Sequence, residues 1–239
     1  MSANDTTPMQ LLLETPLEAL GSIVRETVII EDSNFLISRP EDSDHLLDHP
    51  LIRSAFAADE YLPYWADLWP ASRMLAKAIL REPWPVGADG QPLHALEIGC
   101  GLGLPGIAAL SRGLRVTFSD YDATALRFAA ENARRNGFTN FELLQMDWRS
   151  PPANLQFPVV LGSDLVYELR HVEPVVAFIQ RVLLTGGVCL LTDQDRVPAH
   201  MLRELLPAHG LTFTTQTLRA GETGGRRFKG TLYRIGHAS

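Results

Sequence analysis

The chain has 239 residues, 46% of them hydrophobic, with a net charge of −7 and two cysteines. That is enough apolar material for one large core, and no run of about 18 apolar residues suggests a membrane-spanning helix. The charge is uneven: residues 1–60 hold 12 acids and 3 arginines, while the rest hold 16 acids against 18 basic residues. An acidic N-terminal segment argues against nucleic acid as a partner, because phosphate binding needs a basic face.

Residues 1–20 read as a loose arm with a short helix around Leu11 to Leu20, and lack the basic start and apolar core of a signal peptide. Arg25 to Ile30 is β-branched and runs into the turn Glu31-Asp32-Ser33-Asn34, with Phe35-Leu36-Ile37 beyond it, so a β-hairpin is expected. Glu41 to Pro50 is polar and acidic and reads as a loop. Tyr61 to Ser72 carries two tyrosines and two tryptophans, and from Pro70 the apolar residues Met74, Leu75, Ala78 and Ile79 predict an amphipathic helix that Pro83 and Pro85 stop.

His94 to Ile98 predicts a buried strand running into Gly99-Cys100-Gly101-Leu102-Gly103, with a helix opening at Pro105. Alternate glycines let the backbone turn sharply and approach a ligand at the helix N-terminus. Glu97 is expected to face a cationic amino group. A second strand, Arg115 to Ser119, ends in Asp120, a carboxylate placed to accept from both hydroxyls of a ribose. A third, Phe141 to Gln145, leads into Met146-Asp147-Trp148, where Asp147 can take the amine of adenine and Met146 can pack on its ring. Amine, ribose and adenine in that order describe S-adenosylmethionine better than a dinucleotide.

Strands and helices then alternate, as a parallel sheet requires. Asp122 is expected to cap a helix over Ala123 to Asn136, whose inner face is Leu126, Ala129, Ala130 and Ala133. Pro158 to Ser163 is the fourth strand, followed by Asp164-Leu165-Val166-Tyr167. A helix over Val172 to Leu184 stops at Gly186-Gly187, and Val188 to Thr192 is the fifth strand. A helix over Pro198 to Ala208 and two strands, Leu211 to Thr217 and Phe228 to Ile235, complete the pattern. Cys100 and Cys189 lack metal-ligand spacing and a plausible partner, which predicts no metal site and a reducing, cytoplasmic location.

With Leu96 to Gly103, Leu68-Trp69-Pro70-Ala71-Ser72 and the Asp-x-x-Tyr element Asp164 to Tyr167, the chain resembles the seven-β-strand protein lysine methyltransferases. These include the METTL21-like and electron-transfer-flavoprotein lysine enzymes. The resemblance implies a Rossmann-like class I α/β fold: a seven-stranded, mostly parallel sheet with helices on both faces and a C-terminal antiparallel hairpin. It divides the chain into an N-terminal extension with a β-hairpin, 1–60, and a methyltransferase domain, 61–239. It implies S-adenosylmethionine as donor, S-adenosylhomocysteine as product and a lysine of a protein substrate as acceptor. It places Trp69, Glu97, Gly99, Gly101, Asp120 and Asp147 at the cofactor, with Gly103, Trp148 and Ser163 completing that set, and Asp164 and Tyr167 at the acceptor. No Asn-Pro-Pro-Tyr element is present, so an aliphatic amine is favoured over an amide or a base. The alternatives are a small-molecule N- or O-methyltransferase and, more distantly, an NAD-binding oxidoreductase sustained by Gly101-x-Gly103-x-x-Gly106.

Overall fold

The structure is a computed structural model that describes Leu17, residues 21–42, positions 46, 48, 50, 53, 54 and 57, and residues 62–87, 89–221 and 224–238. The predicted arm and its helix around Leu11 to Leu20 lie, Leu17 aside, outside the described residues. A hairpin, β1 (Ile23–Ile30) and β2 (Ser33–Pro40), is followed by helix α1 (Pro70–Arg81). Then come β3 (His94–Ile98), α2 (Leu104–Ser111), β4 (Arg115–Asp120), α3 (Ala123–Arg135), β5 (Glu142–Gln145) and β6 (Phe157–Ser163). Helix α4 (Leu169–Val182), β7 (Leu183–Asp193), α5 (Leu202–Ala208), β8 (Leu211–Gly221) and β9 (Arg227–His237) end the order.

The main sheet has seven strands in the order β5-β4-β3-β6-β7-β9-β8. The first five are parallel, and β9 runs antiparallel to both β7 and β8. Alternation along each strand splits the core into two layers. Ala95, Val159 and Leu161 pack with α1, α2, α3 and the hairpin, whereas Leu96, Ile98 and Val160 pack with α4 and α5. Burying side chains of this size contributes about 1.5–3 kcal/mol each. Among the described residues no helix is long and apolar enough to cross a membrane.

Several boundaries differ from the sequence reading. Leu46, Asp48 and Pro50 are helical rather than loop, with Leu46 buried. Helix α4 begins at Leu169, one turn before the predicted start, and carries Pro174 inside it. Gly186-Gly187 is not a helix stop, because the chain passes from α4 straight into β7. The glycines instead serve a register shift against β6, where a Cβ on Gly187 would stand 2.7 Å from the Pro158 carbonyl oxygen. The helix expected over Pro198 to Ala208 is a 3-10 turn, Val197–Met201, followed by the short α5.

Candidate active site

A cavity of about 700 Å³ opens over the carboxyl ends of β3, β4, β6 and β7, the edge where parallel sheets bind ligands. The glycine turn forms its floor: Gly99, Gly101 and Gly103 all line it. Gly103 has φ 79°, caps α2, and would set a Cβ 2.9 Å from the Ala129 methyl. Gly101 has φ 50°, and its N–H donates to Asp120 Oδ2 at 2.9 Å. Asp120 Oδ1 accepts from the Asp122 N–H at 3.0 Å, and the Asp122 side chain in turn caps α3. Burial lifts the Asp120 carboxyl to about 7, against the pull of those backbone N–H groups.

Two residues expected at the cofactor do not line the cavity. Glu97 is 2% exposed and lies under the first turn of α2, accepting from the Gly106 N–H at 2.9 Å. It does not reach the cavity wall, because the strand alternation that buries it points it beneath the helix. Met146 is buried in the core layer of α4, not on the wall; its N–H donates to the Asp120 carbonyl at 2.9 Å. Trp69, Asp120, Asp147, Trp148, Ser163, Asp164 and Tyr167 do line the cavity.

Asp147 is gripped by Arg149, whose Nε and Nη2 reach its carboxylate at 2.9 and 2.7 Å. Burial raises the Asp147 carboxyl, but the Arg149 hydrogen bonds outweigh this and hold it below the usual carboxylate range. Trp69 is fixed by its Nε1–H donating to the Tyr64 carbonyl at 2.7 Å. Tyr167 stands edge-on to Tyr64 and to His171, with ring centroids 5.2 and 4.7 Å apart.

Asp164 sits at φ 56° immediately after β6, and its side chain is 7% exposed. Its Oδ2 accepts from Gln194 Nε2 and from Arg196 Nη2, while no described residue donates to Oδ1. Burial raises its carboxyl despite the Arg196 charge. Sequence reasoning missed His171, which lines the cavity between Trp148 and Tyr167, because the predicted helix began one residue after it. It also missed Arg149, Gln194 and Arg196, which belong to no motif and meet their partners only through the turns after β5 and β7.

Residues 64–202, more than half the chain, match the model of a family described as lysine methyltransferase. The chain belongs to this lysine methyltransferase family. Among curated relatives of this family member is the histidine protein methyltransferase 1 homolog of Dictyostelium discoideum, 32% identical over 41% of this chain and 34% of that protein. Protein-lysine N-methyltransferase rrg1 of Schizosaccharomyces pombe is 27% identical over 60% of this chain and 52% of its own length. This lysine methyltransferase family member thus spans about a third to a half of the length of those relatives. Among solved structures, the magnesium protoporphyrin IX methyltransferase of Synechocystis PCC 6803, determined with bound SAM, overlays with a TM-score of 0.54. That overlay covers 69% of this chain and 79% of the other at 15% identity, which shows the shared Rossmann-like methyltransferase fold.

Proposed function

We propose that this protein transfers a methyl group from S-adenosylmethionine to the side-chain amine of a lysine in a protein substrate. The observation that carries the reading is a buried carboxylate, Asp164, with one oxygen that has no hydrogen-bond partner among the described residues, on the wall of the cavity whose floor is the glycine turn. The donor side fits the residues present: glycine backbone without side chains, Asp120 for a ribose diol, and Trp148 with Asp147 for an adenine. Bound there, S-adenosylmethionine would supply an electrophilic methyl on a positive sulfur.

The chain's own residues supply the rest. A free lysine amine has a pKa of about 10.4, so little of it carries a lone pair at neutral pH. Burial in the cavity favours the neutral form. Asp164 favours the ammonium, so its role is to bind and orient the incoming cation and to hold the released proton at Oδ1 or pass it to water. Tyr167 lines the path with its ring, a contact worth roughly 0.5–2 kcal/mol to a cation. In-line placement then contributes more than base strength. A cytoplasmic site of action fits two free, buried cysteines.

The test is transfer of a labelled methyl from S-adenosylmethionine into lysate protein, with the modified residue read by mass spectrometry. Label on lysine supports the reading. Label on histidine, the residue named for the Dictyostelium relative, moves the acceptor, and label only in small metabolites replaces it with a small-molecule methyltransferase.

A further inference from the structure

The last residue of β7 and the three after it, Asp193-Gln194-Asp195-Arg196, form a compact support for the acceptor wall. Asp193 is fully buried, and its Oδ1 accepts from the Arg196 N–H at 2.8 Å, closing the turn. Asp195, at φ 59°, accepts from the Thr231 hydroxyl and ties the segment to β9. With the odd positions anchored, the even ones, Gln194 and Arg196, both reach Asp164 and both take the same oxygen, Oδ2. The Arg196 guanidinium also lies 5.4 Å from the centroid of the Trp69 ring, which is itself fixed to Tyr64. Two side-chain donors on one oxygen, with the other buried and without a hydrogen-bond partner among the described residues, is an uneven use of a carboxylate that costs desolvation unless Oδ1 has work elsewhere.

We propose that Gln194 and Arg196 are positioning residues that hold the Asp164 carboxylate by Oδ2 and present Oδ1 to the acceptor amine. This rests on the lysine-transfer reading above. A carboxylate is useful to a cation only while ionised, and burial works against ionisation of Asp164. Arg196 is the positive charge that opposes it, at 3.2 Å. Asp193 on the same segment works with burial, while the rest of the cavity wall carries charges of both signs, Asp67, Asp120 and Glu168 against Arg149 and Arg170. Tyr167 is neutral, since burial pushes its hydroxyl further up.

The experiment follows the ¹³Cγ resonance of Asp164 through a pH titration in the full chain saturated with S-adenosylhomocysteine. Arg196→Met keeps length and contact with Trp69 but removes the charge, and should raise the Asp164 midpoint by about one pH unit. Arg196→Lys should restore most of that shift. Gln194→Leu, losing a dipole and not a charge, should move it less and in the same direction. The acid limb of kcat/KM on a lysine-bearing substrate should shift by the same amount as the resonance. A merely structural role would lower the melting temperature and leave the titration in place. An unchanged midpoint in Arg196→Met, or no recovery in Arg196→Lys, overturns the assignment. If the midpoints move as stated while the parent protein labels no lysine, the positioning stands and the lysine reading fails.

Discussion

Asp120, at the end of β4, and Asp164, just after β6, line one cavity and make separable demands on it. Asp120 already accepts two backbone N–H bonds, which fix its carboxylate with lone pairs still available to a diol. Losing a charge-assisted hydrogen bond costs about 1.5–3 kcal/mol, so Asp120→Ala should weaken S-adenosylhomocysteine binding roughly tenfold or more by calorimetry. Parent-like affinity would remove Asp120 from the cofactor site. Asp164→Asn should do the converse: turnover falls sharply while S-adenosylhomocysteine binds as before, since the substitution keeps the shape and tolerates a positive φ. Full turnover in that variant would leave Asp164 a loop residue. These two carboxylates stand out in the sequence because one ends β4 and the other directly follows β6, where polarity contrasts with apolar neighbours. Glu97 was read as a cofactor residue for the same reason, though it does not line the cavity. An acid inside a strand looks functional, yet its partner is the Gly106 N–H nine residues on, a contact that depends on how α2 folds back over β3.

At the scale of elements, the least foreseeable feature is how the N-terminal hairpin docks. Asn132 in the last turn of α3 and Asn136, which caps its C-terminus, meet Ser38 and Leu36, two residues apart on β2. Four residues of helix rise about 6 Å and two of strand about 6.6 Å, so the side-chain amides match the strand's outward N–H and C=O groups. The pair thus occupies the edge of β2 as a neighbouring strand would. Asn132 is fully buried, and its Nδ2 also donates to the Leu102 carbonyl in the glycine turn at 3.0 Å. Asn132→Ala should therefore cost about 2–4 kcal/mol, because it leaves buried backbone groups unpaired. Asn136→Ala, whose bonds to Leu36 are exposed, should cost under about 1 kcal/mol. Equal losses in denaturant unfolding would refute this division. The strands and helices of the sheet were readable from periodicity and glycine, including β3 and β4 to the residue. What periodicity could not show was the passage from α4 into β7 without a loop, since a glycine pair signals a helix stop and a strand irregularity alike.

For the whole molecule, charge sets two expectations. The acidic first 60 residues, −9 against +2 for the remainder, should speed encounter with a basic protein surface. Methylation of a basic substrate below saturation should then slow as salt rises, since exposed charges act over about 8–10 Å at physiological ionic strength. A rate independent of salt would exclude such steering. The second expectation concerns pH. Burial raises the carboxyls of Glu97, Asp120 and Asp193, the latter two to about 7 and about 6. A carboxyl raised on folding contributes stability that is fully present below its unfolded pKa of about 4 and is lost as pH rises through the folded value. Glu31 and Asp147 are lowered, through Arg81 with Lys77 and through Arg149 respectively, so their contribution is lost instead as pH falls below about 4. The protein without ligand should therefore be most stable near pH 4 and lose stability from there to about pH 7. One pKa unit corresponds to about 1.4 kcal/mol, so Asp120 alone accounts for up to ~4 kcal/mol of that loss. For a chain of this size each kcal/mol is roughly 2–4 °C of melting temperature, so the decline should be plain in a thermal scan. Asp120→Asn should flatten the profile, since its amide does not ionise. A bound ribose diol is held best by the ionised carboxylate, so S-adenosylhomocysteine should raise the melting temperature more at pH 8 than at pH 6 in the parent, and equally at both in Asp120→Asn. Parallel profiles for parent and variant would show that Asp120 is ionised throughout and that its environment is wetter than its burial implies.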